Sequence, residues 1–425
     1  MDSPLFLQRE AKLFVAFQAD TDDSAVFEVP MLEGFSFSQS TNVNEVTLSE
    51  ASSDGSTSRR GTARFTDSLA PAEFSFSTYV RPFISAGDTS VATNAQQGGN
   101  SMHCAVEECL WALFYGSKSY TKTASTINAV FGAASAEEAV VVATTASSTI
   151  VSTYSNVLKL QEADFYISLG TSSDNTNSEK ALYKLSKAVL NEATIDFDID
   201  GIATINWSGF ATAIEDVSTD PESRDFITAS SAAITPTVAE AITATNNFIQ
   251  NRLSTVSLSN SYDPYTNFED NYTLTLTGGS VTFSNNIEYV TPSTMGVVSQ
   301  PLGHYTGARS VSGTLNCYLD GTSGRSKDLF EDLAESSVID VVNFFNLTVT
   351  LGGSSAPNLA IKVPAAHLEV PVHSVDDVVS MEINFHGLPH GGTASDRVQS
   401  IGSANESSLT YIGVSPLTNN QSPNT

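Results

Sequence analysis

Three aspartates, Asp196, Asp198 and Asp200, alternate with Ile195, Phe197 and Ile199 in the run T-I-D-F-D-I-D. On an extended chain alternate side chains share a face, so the three carboxylates would stand in a row roughly 6.6 Å apart. That spacing is too wide for two carboxyls to share a proton, which removes an acid/base dyad. It leaves a cation site or a water-facing strand surface, of which channel lining is a special case. Cys104 and Cys109 have His103 beside them. But C-x4-C on a helix sets the two thiols off a common face, and a second pair of ligands is missing. Ordinary buried thiols are the plainer reading. Asp20, Asp22 and Asp23 are spaced like part of a calcium loop without its glycine or distal glutamate, which fits a solvated turn. No serine–histidine–acid set, P-loop or Rossmann fingerprint stands in a readable context. Gly321 to Ser326, G-T-S-G-R-S, reads as a turn before a helix. No catalysis, metal or cofactor is expected.

The stretch that must position the aspartates occurs twice. Lys187 to Phe210 aligns without a gap to Ala365 to Leu388: Ala188 meets Ala366, Leu190 meets Leu368, Asp198 meets Asp376, Ile205 meets Ile383 and Gly209 meets Gly387. Both copies alternate apolar and polar residues, the period of a strand with one buried face. A repeated unit is the first organising fact of any chain. Around it, further elements recur in order. Gly34 opens F-S-F-S-Q-S-T-N-V, and Val281 to Val290 matches it. Polar arms follow at Asn44 to Arg64, carrying Arg59 and Arg60, and at Thr291 to Arg309, carrying His304. A second alternating strand comes next, with Tyr79 in the place of Tyr318, and then a helix. The first helix is expected over Met102 to Tyr115 from Val106, Cys109, Leu110, Leu113 and Phe114. The second is K-D-L-F-E-D-L-A. Lys12 to Phe17 and Ala25 to Val29 read as a strand pair. Between the copies, Val238, Ala241, Ile242, Thr245, Phe248 and Ile249 form a helical stripe that should pack on something. Thr121 to Tyr154 is small and β-branched and gives no clear assignment.

Composition sets the outer limits. A chain of 425 residues is long for one core, so two domains are the prior. Its 40% hydrophobic content is enough to bury them. The 19 basic residues against 47 acidic leave a net charge of -28. A protein that grips nucleic acid needs a large basic face, and this chain lacks the residues for one. Three cysteines make no disulfide framework. The N-terminus lacks a basic region followed by an apolar run, so no signal peptide is expected, and no stretch approaches the roughly 20 apolar residues of a membrane helix. Synthesis in a reducing cytoplasm, without membrane contact, follows.

An F-S-F-S strand leading to an arm with R-R-G, a strand ending in Y-V-R-P, a helix, and a final strand pair ending in I-N-W-S-G: this order resembles the tail tube proteins of long-tailed bacteriophages. The likeness covers Met31 to Pro82 and Lys187 to Phe210, and again Val281 to Leu319 and Leu359 to Leu388. It implies a mainly β fold with flanking helices: two tandem β-sandwich or barrel domains whose inner sheets join into a ring. Residues 1–222 would be the first domain, 223–256 a helical linker, 257–396 the second domain and 397–425 a polar tail. Family rings are usually hexameric with one domain per subunit. Two domains per chain imply a trimer of pseudo-sixfold symmetry, with a homohexamer as the alternative. Rings would stack into a conduit in the virion tail, built in the host cytoplasm, meeting other tail proteins and passing DNA without binding it specifically. Asp196, Asp198 and Asp200 become candidates for the lumen; Arg59, Arg60 and His304 become candidates for contacts between rings. A capsid decoration or surface-layer protein, or a β-sandwich enzyme or carbohydrate binder, are the other readings. An enzyme would show a clustered acid/base set, and a sugar binder exposed loop aromatics; Trp111 and Trp207 belong instead to a helix and a strand.

Overall fold

The structure, a computed structural model, describes residues 11–17, 26–46, 63–85, 102–115, 128–130, 140–143, 146–153, 160–170, 181–219, 244–260, 271–290, 301–339, 345–375, 378–388 and 405–415. The alternating runs fold as strands. β1 (Lys12–Phe17) pairs with β2 (Val26–Val29), and β3 (Ser36–Val46) with β4 (Ala63–Tyr79). β5 (Pro82–Ser85) pairs with β6 (Met102–Ala105), which runs into a helix, Glu108–Tyr115. A meander follows, β7 (Asn128–Val130), β8 (Val140–Ala143) and β9 (Ser148–Thr153). β10 (Ala163–Leu169), β11 (Ala181–Asp198), β12 (Thr204–Ala211) and β13 (Ala213–Asp216) complete the first half. The second half holds β14 (Thr255–Asn260), β15 (Asn271–Leu274), β16 (Leu276–Ser284), the hairpin β17 (Ile287–Val290) and β18 (Gly303–Thr306), β19 (Ser310–Tyr318) and a helix, Ser326–Ile339. It ends with β20 (Phe345–Leu351), β21 (Asn358–Leu368), β22 (Val372–Val375), β23 (Val379–Gly387) and β24 (Asn405–Ile412).

Pairing follows one plan in both halves. The neighbours β2–β1–β10–β11–β13 recur as β15–β14–β20–β21–β24. The neighbours β3–β4–β12–β11 recur as β16–β19–β23, with β21 and β22 sharing the far edge of β23. Ile205 on β12 and Ile383 on β23 therefore occupy strands of matching topology. β11 serves both layers: Ala181 to Ala188 pairs with β10, and Val189 to Asp196 with β12. The switch is made at a bulge, where Lys187 takes φ 52° and its N–H donates to Asp164 Oδ1 at 2.9 Å. β10–β11 and β20–β21 slip register at the same place, with Ala163 facing Ala188 and Phe345 facing Ala366. The match then slides by two residues: Leu190 faces Gly209, but Ala366 faces Gly387. Pro371 lies in the interruption between β21 and β22, and a proline cannot supply the ladder's N–H.

The halves meet along β11 and β16, paired from Glu192–Ser284 to Asp198–Gly278. One sheet thus runs β3–β4–β12–β11–β16–β19–β23 through the chain's midpoint. It does not close into a barrel. The helix Glu108–Tyr115 lies against its apolar face. Trp111 sits 4.7 Å from Trp207 and 5.5 Å from Phe283, ring centroid to centroid. Both indole N–H groups are satisfied, by Thr78 at 3.0 Å and by the Tyr411 hydroxyl at 2.8 Å. Every residue of this helix is buried, so it plugs the core rather than showing a polar face to water. It is shorter than the expected Met102 to Tyr115, because Met102–Ala105 is taken up by pairing with β5.

Two other expectations are corrected. The stripe from Val238 to Ile249 is not helical where it is described: 244–250 is irregular, with a bend at 245–246 and a lone bridge from Gln250 to Ile202, and leads into a single 3-10 turn, Asn251–Leu253. It does pack, since Asn247 accepts from Arg81 Nε at 3.3 Å and the Arg81 guanidinium lies 4.6 Å from the Phe248 ring. The tail at 397–425 contains β24, which lies between β21 and β9 with Leu409 and Tyr411 buried. Gly413 donates to His103 Nδ1 at 2.7 Å, and Ile84 to the Val414 carbonyl at 2.8 Å. The tail is a strap between the halves, reaching β9 in the stretch that composition left unassigned.

Candidate functional site

Among the described residues, the opposite face of the joined sheet carries no helix. Because period two holds along every strand, its side chains line up across strands in ladders. One reads Ser36–Ser75–Ser208–Glu192–Ser284–Ser310. The next reads Ser77–Asn206–Thr194–Thr282–Ser312–His386. Then come Tyr79–Thr204–Asp196–Ser280–Thr314–Asn384 and, at the far end, Asp198–Gly278–Asn316–Glu382–Val372. Neighbours bond sideways: Ser36 with Ser75 at 2.9 Å, Ser77 to Asn206 at 2.6 Å, Thr194 with Thr282 at 3.0 Å, Ser280 with Thr314 at 3.3 Å. Such cross-strand hydroxyl pairs fix register while leaving a short, wettable surface. No lysine or arginine stands in these ladders, and four carboxylates do: Glu192, Asp196, Asp198 and Glu382.

Asp196 and Asp198 share this face, as the alternation predicts, and help line a depression of ≈ 940 Å³ with Gly278, Ser280, Asn316 and Glu382. Partial burial pushes the Asp196 carboxyl above its ordinary value, and the Asn206 amide, donating to Oδ2, opposes that shift. Asp198 is exposed and accepts the Ile199 N–H at 2.7 Å, which starts the turn. Asp200 departs from the expectation. The strand ends at Asp198, and Asp200 lies in the turn, 3.8 Å from Arg252 with both side chains largely in water, a contact of little energetic weight.

His304 lies on β18. It is 2% exposed, and its Nε2 accepts the Leu160 N–H at 3.2 Å. Its Nδ1 lies 3.4 Å from Glu162 Oε1. Arg59, Arg60, Asp20, Asp22 and Asp23 lie outside the described residues. Cys104, Cys109 and Cys317 are buried and unbridged, and His103 is engaged with Gly413. Among the described residues no three His, Cys, Asp or Glu side chains gather as a metal would need. Sequence reasoning missed Glu192 and Glu382 as members of the acidic face. The signal was there, because each alternates with buried residues, Ala193 and Met381, on its own strand.

The face is a polar surface of hydroxyls, amides and carboxylates, spread over a sheet that both halves share. Tail tube protein pb6 of Escherichia phage T5 is 26% identical over 397 residues, covering 92% of this chain and 74% of that protein. A solved structure of the anti-feeding prophage baseplate covers 31% of this chain and 86% of its own at 9% identity, with a TM-score of 0.23, too slight a likeness to carry an inference. The family model described as phage tail tube protein matches residues 8–386, from before β1 into β23. The chain belongs to the phage tail tube protein family and is a structural protein of the virion tail.

Proposed function

We propose that this chain is two tube-type β units in tandem, 1–222 and 257–396, joined by 223–256 and strapped by the C-terminal segment. Three chains close into a ring of pseudo-sixfold symmetry, the homohexamer being the alternative. Rings stack, with the arms between β3 and β4 and between β17 and β18 reaching toward the next ring, and other tail proteins cap the stack. The ladder-bearing face lines the channel through which DNA passes without specific binding.

The observation that carries this reading is the β11–β16 junction, where the end of one unit's sheet pairs with the start of the next unit's sheet inside one chain. The counterpart strands are left unpaired on one side: among the described residues β3 pairs only with β4, and β22 only with β23. A free edge is a template for another chain. Joining β22 of one copy to β3 of the next repeats the internal junction and closes a ring. Electron microscopy of the purified protein tests this. The expected result is hollow tubes whose rings show six lobes at the mass of three chains. Flat sheets or single particles would overturn it, and six chains per ring would select the homohexamer.

A further inference from the structure

In the first half, the strand after β12 follows at once. Thr212 alone separates β12 from β13; its N–H donates to the Ser186 carbonyl at 2.9 Å, and Ala213 faces Ser186. β24 holds the matching place in the second half, since Ser408 faces Lys362 as Glu215 faces Lys184. Its connection is different. The Leu388 N–H donates to the Ala365 carbonyl at 2.8 Å, and Ala365 lies on β21 close to Lys362, a step of about 10 Å along the strand. Residues 389–404 come between these points, a length of chain able to span about 50 Å. A strand on such a tether meets its site as a separate segment would.

That site is built by both halves. β21 of the second half forms one wall and β9 of the first half the other. Leu409 and Tyr411 are buried between them, and Trp111 donates to the Tyr411 hydroxyl. Past the ladder, His103 accepts the Gly413 N–H, the Val414 carbonyl accepts the Ile84 N–H, and Asn246 Nδ2 donates to the Ser415 carbonyl at 2.9 Å. A Cβ on Gly413 would lie 2.3 Å from the Phe83 carbonyl carbon and oxygen, so the site admits no side chain there. Main-chain bonds for affinity, with pockets for alternate side chains, are how a sheet recognises an added strand.

We propose that the cleft between β9 and β21 is a binding site for an extended peptide with apolar side chains at alternate positions and a glycine two residues beyond them, filled here by residues 405–415 as a detachable strand that bridges the two halves. Nothing in this depends on ring assembly.

Two forms of the full chain test it. In the first, a protease site is inserted between Gly392 and Thr393 and the folded chain is cut there, which leaves the strand seated but untethered. A fluorescent peptide of residues 403–416, in excess, should replace it, read as a rise in anisotropy. The same peptide with Tyr411→Ala should bind about a hundredfold more weakly, and one with Gly413→Leu should not bind. The uncut parent should take up no peptide, because its own strand is present at a high effective concentration. The second form is the uncut chain with Tyr411→Ala and Gly413→Leu. Its hydrogen exchange should be faster than the parent's at the amides of β9 and β21 together, and should slow again when the unmodified peptide is added. A cut chain that never takes up the peptide, or takes up all three peptides alike, would overturn the proposal. So would exchange that quickens in one of the two strands alone. The cut chain folds with its own strand in place, so a folding defect cannot mimic a failure to exchange.

Discussion

Glu107 is a carboxyl held in the core. It is 1% exposed beside Arg81, itself buried, whose backbone N–H donates to Oε2 at 3.3 Å. Burial pushes its carboxyl from an ordinary 4.5 up to about 7, opposed by hydrogen bonds from the backbone and Tyr411 and by the Arg81 charge. Burial likewise lowers the Arg81 pKa, with the Glu107 charge opposing. A carboxyl raised on folding binds its proton more tightly in the native state. Its contribution to stability is fully present below pH 4.5 and is lost as pH rises through about 7. The span corresponds to a loss on the order of 3 kcal/mol at 1.36 kcal/mol per unit. Urea unfolding of the unassembled chain between pH 4.5 and 8 should show this decline, and Glu107→Gln should flatten it; an unchanged slope in the variant would refute the assignment. A second constraint is steric. A Cβ on Gly313 would lie 2.2 Å from the Ser280 carbonyl oxygen and 2.7 Å from the Phe385 ring, which covers the glycine from the facing strand. Gly209 lies under Phe74 in the same way. Gly313→Ala should therefore cost about 1–3 kcal/mol through strand displacement, read as a lowered midpoint in the same unfolding assay.

Among the elements, β22 is paired on one side with β23 and would, in the proposed ring, offer its other side to the next chain. Edge strands that must not pair commonly carry lysine. Val372→Lys would place a charge beside the free ladder, on a side chain already 66% exposed, so the chain should fold normally and fail to close rings. Light scattering would then report single chains where the parent gives rings, and unaltered rings would exclude β22 from the lateral joint. Much of this was legible beforehand because period two is a local signal. It marked β3, β4, β11, β12, β16, β19 and β23 and the face that each buries. It could not say which strands pair, because the β11–β16 contact joins residues about 90 positions apart and leaves no local trace. Nor could it place the helix boundary, since Met102–Ala105 is extended only by virtue of β5. β24 was readable in principle: L-T-Y alternates, and Leu409 and Tyr411 are its buried members. The surrounding Ser, Asn and Glu outweighed two apolar residues and made the segment look like a solvated tail. The burial of His304 was hidden for the same reason: it is a polar residue in a polar arm, and its neighbours Leu160 and Glu162 are distant in sequence.

At the scale of the whole molecule, a net charge of -28 must be tolerated by copies packed side by side. Mutual repulsion works against any ring. The ladders suggest what the charge is for: Glu192, Asp198 and Glu382 stand exposed on the face without helices, with no lysine or arginine in the same ladders. Duplex DNA carries one negative charge per about 1.7 Å of axis, and every phosphate paired with a lysine adds affinity that passage would have to overcome. Carboxylates on the wall repel it instead, over about 8–10 Å at physiological salt. Replacing Glu192, Asp198 and Glu382 with lysine tests whether this face is the lumen. None of the three has a buried partner to lose, so tubes should still form. Phage carrying the substitutions should eject DNA more slowly. Purified variant tubes should retain duplex at low salt and release it as salt rises, with a log–log slope of about 0.9 for each phosphate that a new lysine neutralises, whereas parent tubes should retain none. Ejection at the parental rate, together with tubes that ignore DNA at low salt, would mean that the ladders face outward and that some other surface lines the channel.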